Sequence, residues 1–339
     1  MMKNILKFSM LFGAVSCVMN AEISVKEAGS DKLTDLHENI RMIKTPVSFD
    51  VIDSDKFVLT DNEDVLVYDF SGNQLYKIGS VGNAAFEYHR PSVVRATSDH
   101  IFVWSSSHLK FVVYDIEGKP LAEYPYMSVV KDFRPTDSHI YIYTAGRREK
   151  NVVDVYSLSD KSVSDTLMIS SDEHLMLSHT MSISPMAVAG GGLLFSSKDA
   201  TDVYYYDGSE VRLDTDIESE TFKVTEVPTS DWYYTDRDAA RRWLRENSMS
   251  LYLSPMDKGY LLLTLEGERK LIDGKIDFDN LFYGAYEVRN GKIKDIEYYS
   301  FGSLGDNVQL FSSFSGKMYF IKHSIDREKD VYSLHRLIL

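Results

Sequence analysis

A chain of 339 residues is longer than one compact core usually supports, so its apolar residues must be distributed over several packed interfaces. Its formal charge of −14 repels phosphate backbones, which argues against nucleic acid as a partner. The single cysteine, Cys17, excludes disulfides within the chain and cysteine-based zinc or iron–sulfur sites, and after the N-terminus no apolar run reaches the ~18 residues of a membrane-spanning helix.

The chain opens with the three parts of an export signal. Lys3 and Lys7 precede the apolar run Phe8 to Val15, and small residues follow. Ala14-Val15-Ser16-Cys17 is similar to a bacterial lipobox, in which the cysteine becomes a lipidated N-terminus; the other reading is cleavage near Met19-Asn20-Ala21. The expected organisation is therefore residues 1–17 as export signal, 18–37 as polar tether and 38–339 as the folded body. Within that body, Asn39 to Lys44 alternates as a short strand should, before Pro46.

From there one phrase recurs. Val67-Tyr68-Asp69-Phe70-Ser71-Gly72 returns as Val113-Tyr114-Asp115-Ile116-Glu117-Gly118, each a strand running into a tight glycine turn. Weaker copies surround Tyr156, Tyr206, Tyr286 and Tyr332, and four of the five intervals between these tyrosines lie between 42 and 50 residues. That is the length of a four-stranded propeller blade. Ahead of each tyrosine stands an apolar run opened by a polar residue or glycine, at Lys56, His100, His139, Gly192, Gly259 and Lys317. Apolar on successive residues, these runs suit inner strands covered on both faces. The count predicts an all-β, six-bladed β-propeller, with seven blades as the alternative.

The sixth blade lacks one strand at the C-terminus, and residues 38–45 are expected to supply it and close the ring. The 80-residue gap between Tyr206 and Tyr286 holds two insertions. One is a short helix over residues 235–247, before blade 5, with Ala239, Ala240, Trp243 and Leu244 on one face; the other is a loop over residues 270–280.

Between blades 1 and 2 the stretch Gly79-Ser80-Val81-Gly82-Asn83-Ala84-Ala85-Phe86-Glu87-Tyr88-His89-Arg90-Pro91 resembles NHL-type and TolB-like six-bladed propellers. Phe86-Glu87-Tyr88 and Pro91 match that pattern, and Ala84-Ala85 stands where Gly-Pro is usual. More narrowly, residues 40–125 are similar to propeller lipoproteins of bacterial envelopes, a family largely without assigned function. The resemblance implies a cell-envelope protein, held at a membrane face by lipid on Cys17 or free in the periplasm.

In such a fold the loops joining second to third strands, and each blade to the next, gather on one face as a funnel. By this mapping the candidate ligand-binding residues are Tyr88, His89, Arg90, Trp104, His108, Arg147, Arg148 and His323. Each has a plainer structural reading: Tyr88 with Glu87 can fix its loop, and Arg147 and Arg148 suit a solvated hairpin tip. The nine histidines form no helical metal pair, and nucleophile elbow, phosphate loop and dinucleotide fingerprint are all missing, so neither metal nor cofactor is expected. The expected function is non-catalytic binding of an envelope protein or glycan. The alternatives are a metal-dependent lyase or hydrolase with its site in the funnel, and a structural subunit of an outer-membrane assembly.

Overall fold

The computed structural model describes residues 25–27, 29–36, 46–147, 150–168, 185–196, 200–219, 221–225, 247–266, 270–272, 275–277, 282–300, 308–326 and 329–338. The described residues begin with two arm strands, β1 (Val25–Glu27) and β2 (Gly29–Asp35). Blade 1 follows as β3 (Ser48–Val51), β4 (Lys56–Thr60), β5 (Val65–Asp69) and β6 (Gln74–Lys77). Blade 2 comprises β7 (Pro91–Ala96), β8 (His100–Ser105), β9 (Lys110–Asp115) and β10 (Pro120–Pro125). Blade 3 comprises β11 (Val130–Pro135), β12 (His139–Arg147), β13 (Lys150–Ser157) and β14 (Ser162–Met168). Blade 4 comprises β15 (Met186–Ala189), β16 (Gly192–Ser196), β17 (Val203–Tyr206) and β18 (Val211–Thr215).

Blade 5 is β19 (Met249–Met256), β20 (Gly259–Glu266), β23 (Phe282–Arg289) and β24 (Lys292–Ser300), interrupted by the hairpin β21 (Lys270–Ile272) and β22 (Lys275–Asp277). That hairpin occupies the stretch expected to be loop; its strands pair Lys270 with Asp277 and Ile272 with Lys275. Blade 6 is β25 (Val308–Phe314), β26 (Lys317–Asp326) and β27 (Lys329–Ile338), with β2 as its fourth strand. The innermost strands touch in a cycle, β3 to β7, β11, β15, β19, β25 and back to β3, so six blades close the ring.

All six second strands start at the residue where the sequence places an apolar run. The six repeat tyrosines lie in the third strands and are at most 7 % exposed. The hairpin phrase has a local cause: Asp69 Oδ1 accepts the amides of Ser71 and Asn73, Asp115 Oδ1 those of Glu117 and Lys119, and Gly72 and Gly118 take positive φ. The core is not central. Its clusters lie between neighbouring blades, such as Phe57, Leu59 and Tyr68 against Tyr319, Ile321 and Leu334 between blades 1 and 6.

The closing strand differs from expectation in position. It is Gly29–Asp35, antiparallel to β27 from Gly29 opposite Ile338 to Asp35 opposite Ser333, in the stretch read as tether; residues 37–45 lie outside the described residues. An outer strand covers a sheet edge and needs few apolar side chains, as the largely exposed β6 and β10 also show. In the arm, Leu33 and fully buried Leu36 are the apolar anchors, too few to give a period. The arm also adds β1 parallel to β24 as a fifth strand on blade 5. Of the expected helix, only Asn247 lies within the described residues.

Candidate functional site

The connection from blade 1 to blade 2 folds back on itself. Gly82 N donates to Tyr88 O at 3.1 Å and Tyr88 N to Ser80 O at 3.1 Å. The return requires close packing: Gly79 has φ +59°, and a Cβ there would stand 2.4 Å from the Tyr114 hydroxyl oxygen. Glu87 ties the inside of the loop, accepting the Ala84 amide at 2.7 Å and the Ser80 hydroxyl at 3.1 Å. Those hydrogen bonds, the amide first, hold its carboxyl below the usual range. Phe86 and Arg90 both adopt positive φ, at 60° and 54°, a conformation that the surrounding contacts impose.

The structure divides the sequence-predicted residues. Tyr88 is fully buried, its hydroxyl donating to Ile78 O at 2.8 Å and accepting Val65 N at 3.2 Å. Trp104 is 1 % exposed and packs with Phe111 and Tyr126. Both rings belong to the core between blades, Trp104 on the inner strand β8, covered on either side, and Tyr88 in the connection, folded inward with Ile78 and Tyr114. His89 and Arg90, in contrast, are exposed, and His108 is half-buried beside them, its ring 5.9 Å from that of His89. His108 Nε2 lies 3.0 Å from Asn83 Oδ1. Arg147 ends β12 opposite Lys150, and His323 lies in β26 opposite Tyr332. Arg148 and Cys17 lie outside the described residues.

The loop that carries His89 and Arg90 is pinned by the end of β8 and the turn that follows it. Ser105 Oγ accepts His89 N at 2.9 Å and donates to His89 O at 3.0 Å; Ser106 donates its amide and hydroxyl to Arg90 O at 3.2 and 2.9 Å. Two neighbouring loops are thus one rigid frame.

Sequence reasoning missed a polar ring on the innermost strands. Asp50, Arg95, Arg134, Ala187, Ser254 and Ser312 occupy one register position in the six blades, each opposite the third residue of its second-strand run. Ser312 donates to Asp50 Oδ1 at 2.6 Å, linking blades 6 and 1, and Ala96 N donates to Asp50 Oδ2 at 2.9 Å. Arg95 donates to Ser48 Oγ at 3.0 Å and meets Asp132 of blade 3 at 2.6 Å. Arg134 also holds Asp132, at 2.8 Å, donates Nε to Met186 O of blade 4 at 3.0 Å, and lies 5.9 Å from the Tyr252 ring centroid of blade 5. Tyr252 OH completes the circuit to Ser313 of blade 6 at 3.2 Å. Beside this ring, between blades 6, 1 and 2, lies a cavity of about 10 Å³, too small for more than a water. The detectable signal was a charge at one and the same position of three inner strands, Asp50, Arg95 and Arg134, once the blades are aligned.

A second buried carboxylate, Glu266, ends β20. It accepts the hydroxyls of Thr264 and Tyr286 at 2.6 Å each, and that of Thr221 on its other oxygen. Gly284 leaves the room, since a Cβ there would stand 2.4 Å from Glu266 Oε1. The nest binds the segment after blade 4 to blade 5. Among the described residues no three His, Cys, Asp or Glu side chains form a group that could hold a metal ion.

Solved structures share this architecture at low identity. A protein of Bacteroides fragilis named as an exported protein matches with TM-score 0.62 at 14 % identity, over 92 % of this chain and 95 % of its own. A DUF4221 family member from Bacteroides vulgatus gives 0.61 at 10 % identity, covering 94 % and 98 %. A streptogramin B lyase gives 0.51 at 9 % identity, covering 91 % and 98 %. At such identities the likeness concerns the fold alone. No curated protein matches the sequence. The model of a family described as a 6-bladed beta-propeller, DUF5128, matches residues 42–252. With more than half of its length matched and six blades closing the ring, the chain belongs to the DUF5128 family of six-bladed β-propellers.

Proposed function

We propose that this protein is an exported, non-catalytic binding module, attached to the cell envelope through lipid on Cys17, which takes an envelope protein or glycan on the face that presents His89, Arg90 and His108. The observation that carries the reading is the frame around residues 89 and 90: side chains exposed to solvent on a backbone held by Ser105 and Ser106. A backbone already fixed loses little entropy when a partner docks, so a small polar patch there can still bind selectively.

Crosslinking in intact cells followed by co-purification tests it. The doubly substituted variant His89→Ala/Arg90→Ala is expected to lose the captured partner while its melting temperature stays within about 2 °C of the parent. Undiminished capture would place the docking surface elsewhere. Mass spectrometry of the mature N-terminus tests the anchor: a diacylated Cys17 is expected, and an unmodified chain starting after residue 20 would remove it.

A further inference from the structure

The face opposite His89 carries two adjoining cavities among the described residues. One, of about 340 Å³, lies between blades 4 and 5 and is walled by Tyr205, Arg212, Asp214, Lys258, Tyr260 and Asn290. The other, of about 350 Å³, lies between blades 5 and 6, with Arg289, Ser315 and Gly316 on its far side. They share the hairpin tip Met256-Asp257-Lys258, so one ligand can lie over that tip with a unit in each lobe.

Short turns create the space. Asn290-Gly291 and Ser315-Gly316 have positive φ at both residues, the geometry of tight two-residue hairpins, and Gly190-Gly191 does the same on blade 4. A larger turn at any of these would fill a lobe. Each volume falls within the range of small-ligand sites, and the walls mix polar and apolar surface.

The charges in this cleft are unequally occupied. Asp214 already accepts the hydroxyls of Tyr260 at 3.0 Å and Thr215 at 2.9 Å, and Arg289 is paired with Glu287. Lys258 is exposed and, like Arg212, makes no salt bridge among the described residues. The Arg212 guanidinium instead lies 5.1 Å from the centroid of Tyr205, whose hydroxyl is tied to Gly190 O at 3.0 Å. Two cations and a fixed aromatic ring thus face the lobe between blades 4 and 5, while its half-buried carboxylate, Asp214, is engaged. A hydroxyl-rich chain with a carboxylate on each unit matches that set: carboxylates to Lys258 and Arg212, sugar hydroxyls to Asp257 and Asn290, and a second unit across the tip.

We infer that this two-lobed cleft is a binding site for an acidic, uronate-bearing oligosaccharide. It stands on residues separate from the His89 face and does not depend on that reading. Calorimetric titration of the full chain with tetragalacturonate, with uncharged maltotetraose as control, tests the inference. Tetragalacturonate is expected to bind, and to weaken about fivefold between about 50 and 300 mM salt. The Lys258→Ala/Arg212→Ala variant should bind it about tenfold more weakly with an unchanged melting temperature, and His89→Ala should bind it like the parent. No measurable binding, equal binding of maltotetraose, equal binding by the double variant, or a loss caused by His89→Ala would each overturn it.

Discussion

Asp132 is a fully buried carboxylate between two guanidinium groups, Arg95 at 2.6 Å and Arg134 at 2.8 Å. Removing one member of such a set leaves the others desolvated without compensation, which costs more than the set itself contributes. Asp132→Ala is therefore expected to lower the unfolding free energy by about 3–5 kcal/mol in urea titration. The paired variant Arg95→Met/Asp132→Leu should lose clearly less than the two single variants together, because it removes the unpaired charge as well. A cost below about 1 kcal/mol for Asp132→Ala would mean that water reaches the ring. None of these residues was legible as a site. Arg95 is the single charge of its short inner strand and has no period to detect, while in β11 Lys131, Asp132 and Arg134 leave no apolar pattern against which one of them stands out. At Tyr88 and Trp104 the loop mapping placed at the funnel two side chains that pack inward, as the plainer reading of Tyr88 has it. Residue type near a funnel does not fix direction; packing between neighbouring blades does.

At the scale of the element, legibility followed burial. Every second strand was readable because both of its faces are covered, which forces continuous apolar runs. The outer strands were not, and the closing strand β2 is the extreme case, with hydrogen bonding to β27 as its main demand. Across that seam His335 is 6 % exposed, stacked on Phe320 with ring centroids 5.1 Å apart and within reach of Ser30 and Ser333 at 3.2 and 2.8 Å. Burial first, then the charges of Lys322 and Lys32, push its pKa down to about 4 from an ordinary 6.5; Asp35 opposes them weakly. Between those two values the unfolded chain takes up a proton that the folded chain does not, so the stabilisation is complete above the ordinary pKa and declines as pH falls toward about 4. The loss from this one group should be about 2 kcal/mol at pH 4, after allowance for residual hydration of the ring. Since carboxylates titrate over part of the same range, the informative quantity is the difference between His335→Phe and the parent. Urea titrations at pH 7 and pH 4.5 should show a smaller drop for the variant; parallel drops would mean that His335 is protonated inside the fold.

For the whole molecule, the decisive fact is how the wheel is shut. Blades 1 to 4 are each built from a continuous stretch of chain, blade 5 takes only its added fifth strand from the arm, and blade 6 is built from both ends. Its three C-terminal strands end at Ile338, directly opposite Gly29, the first residue of the arm strand. The two backbones run antiparallel there, so a hairpin of a few residues could join them without moving either strand. Joining Ile338 to Gly29 through such a turn, and opening the chain ahead of Pro46, would turn blade 6 into an ordinary continuous blade while keeping every pairing of β2 with β27. This circular permutant is expected to fold, elute as the parent does in size-exclusion chromatography, and melt within about 5 °C of it, since it loses only the short pairing of β1 with β24. Simple deletion of residues 25–36 removes the same strand without replacing it, together with Leu36, which fills the blade 6 to blade 1 core beside Phe49 and Leu334. That chain should be several kcal/mol less stable and should aggregate through the bared edge of β27. The pair of variants separates two properties that the native chain combines: if the permutant also fails, continuity from the arm into blade 1 is required, and closure of the last sheet is not by itself what holds the ring.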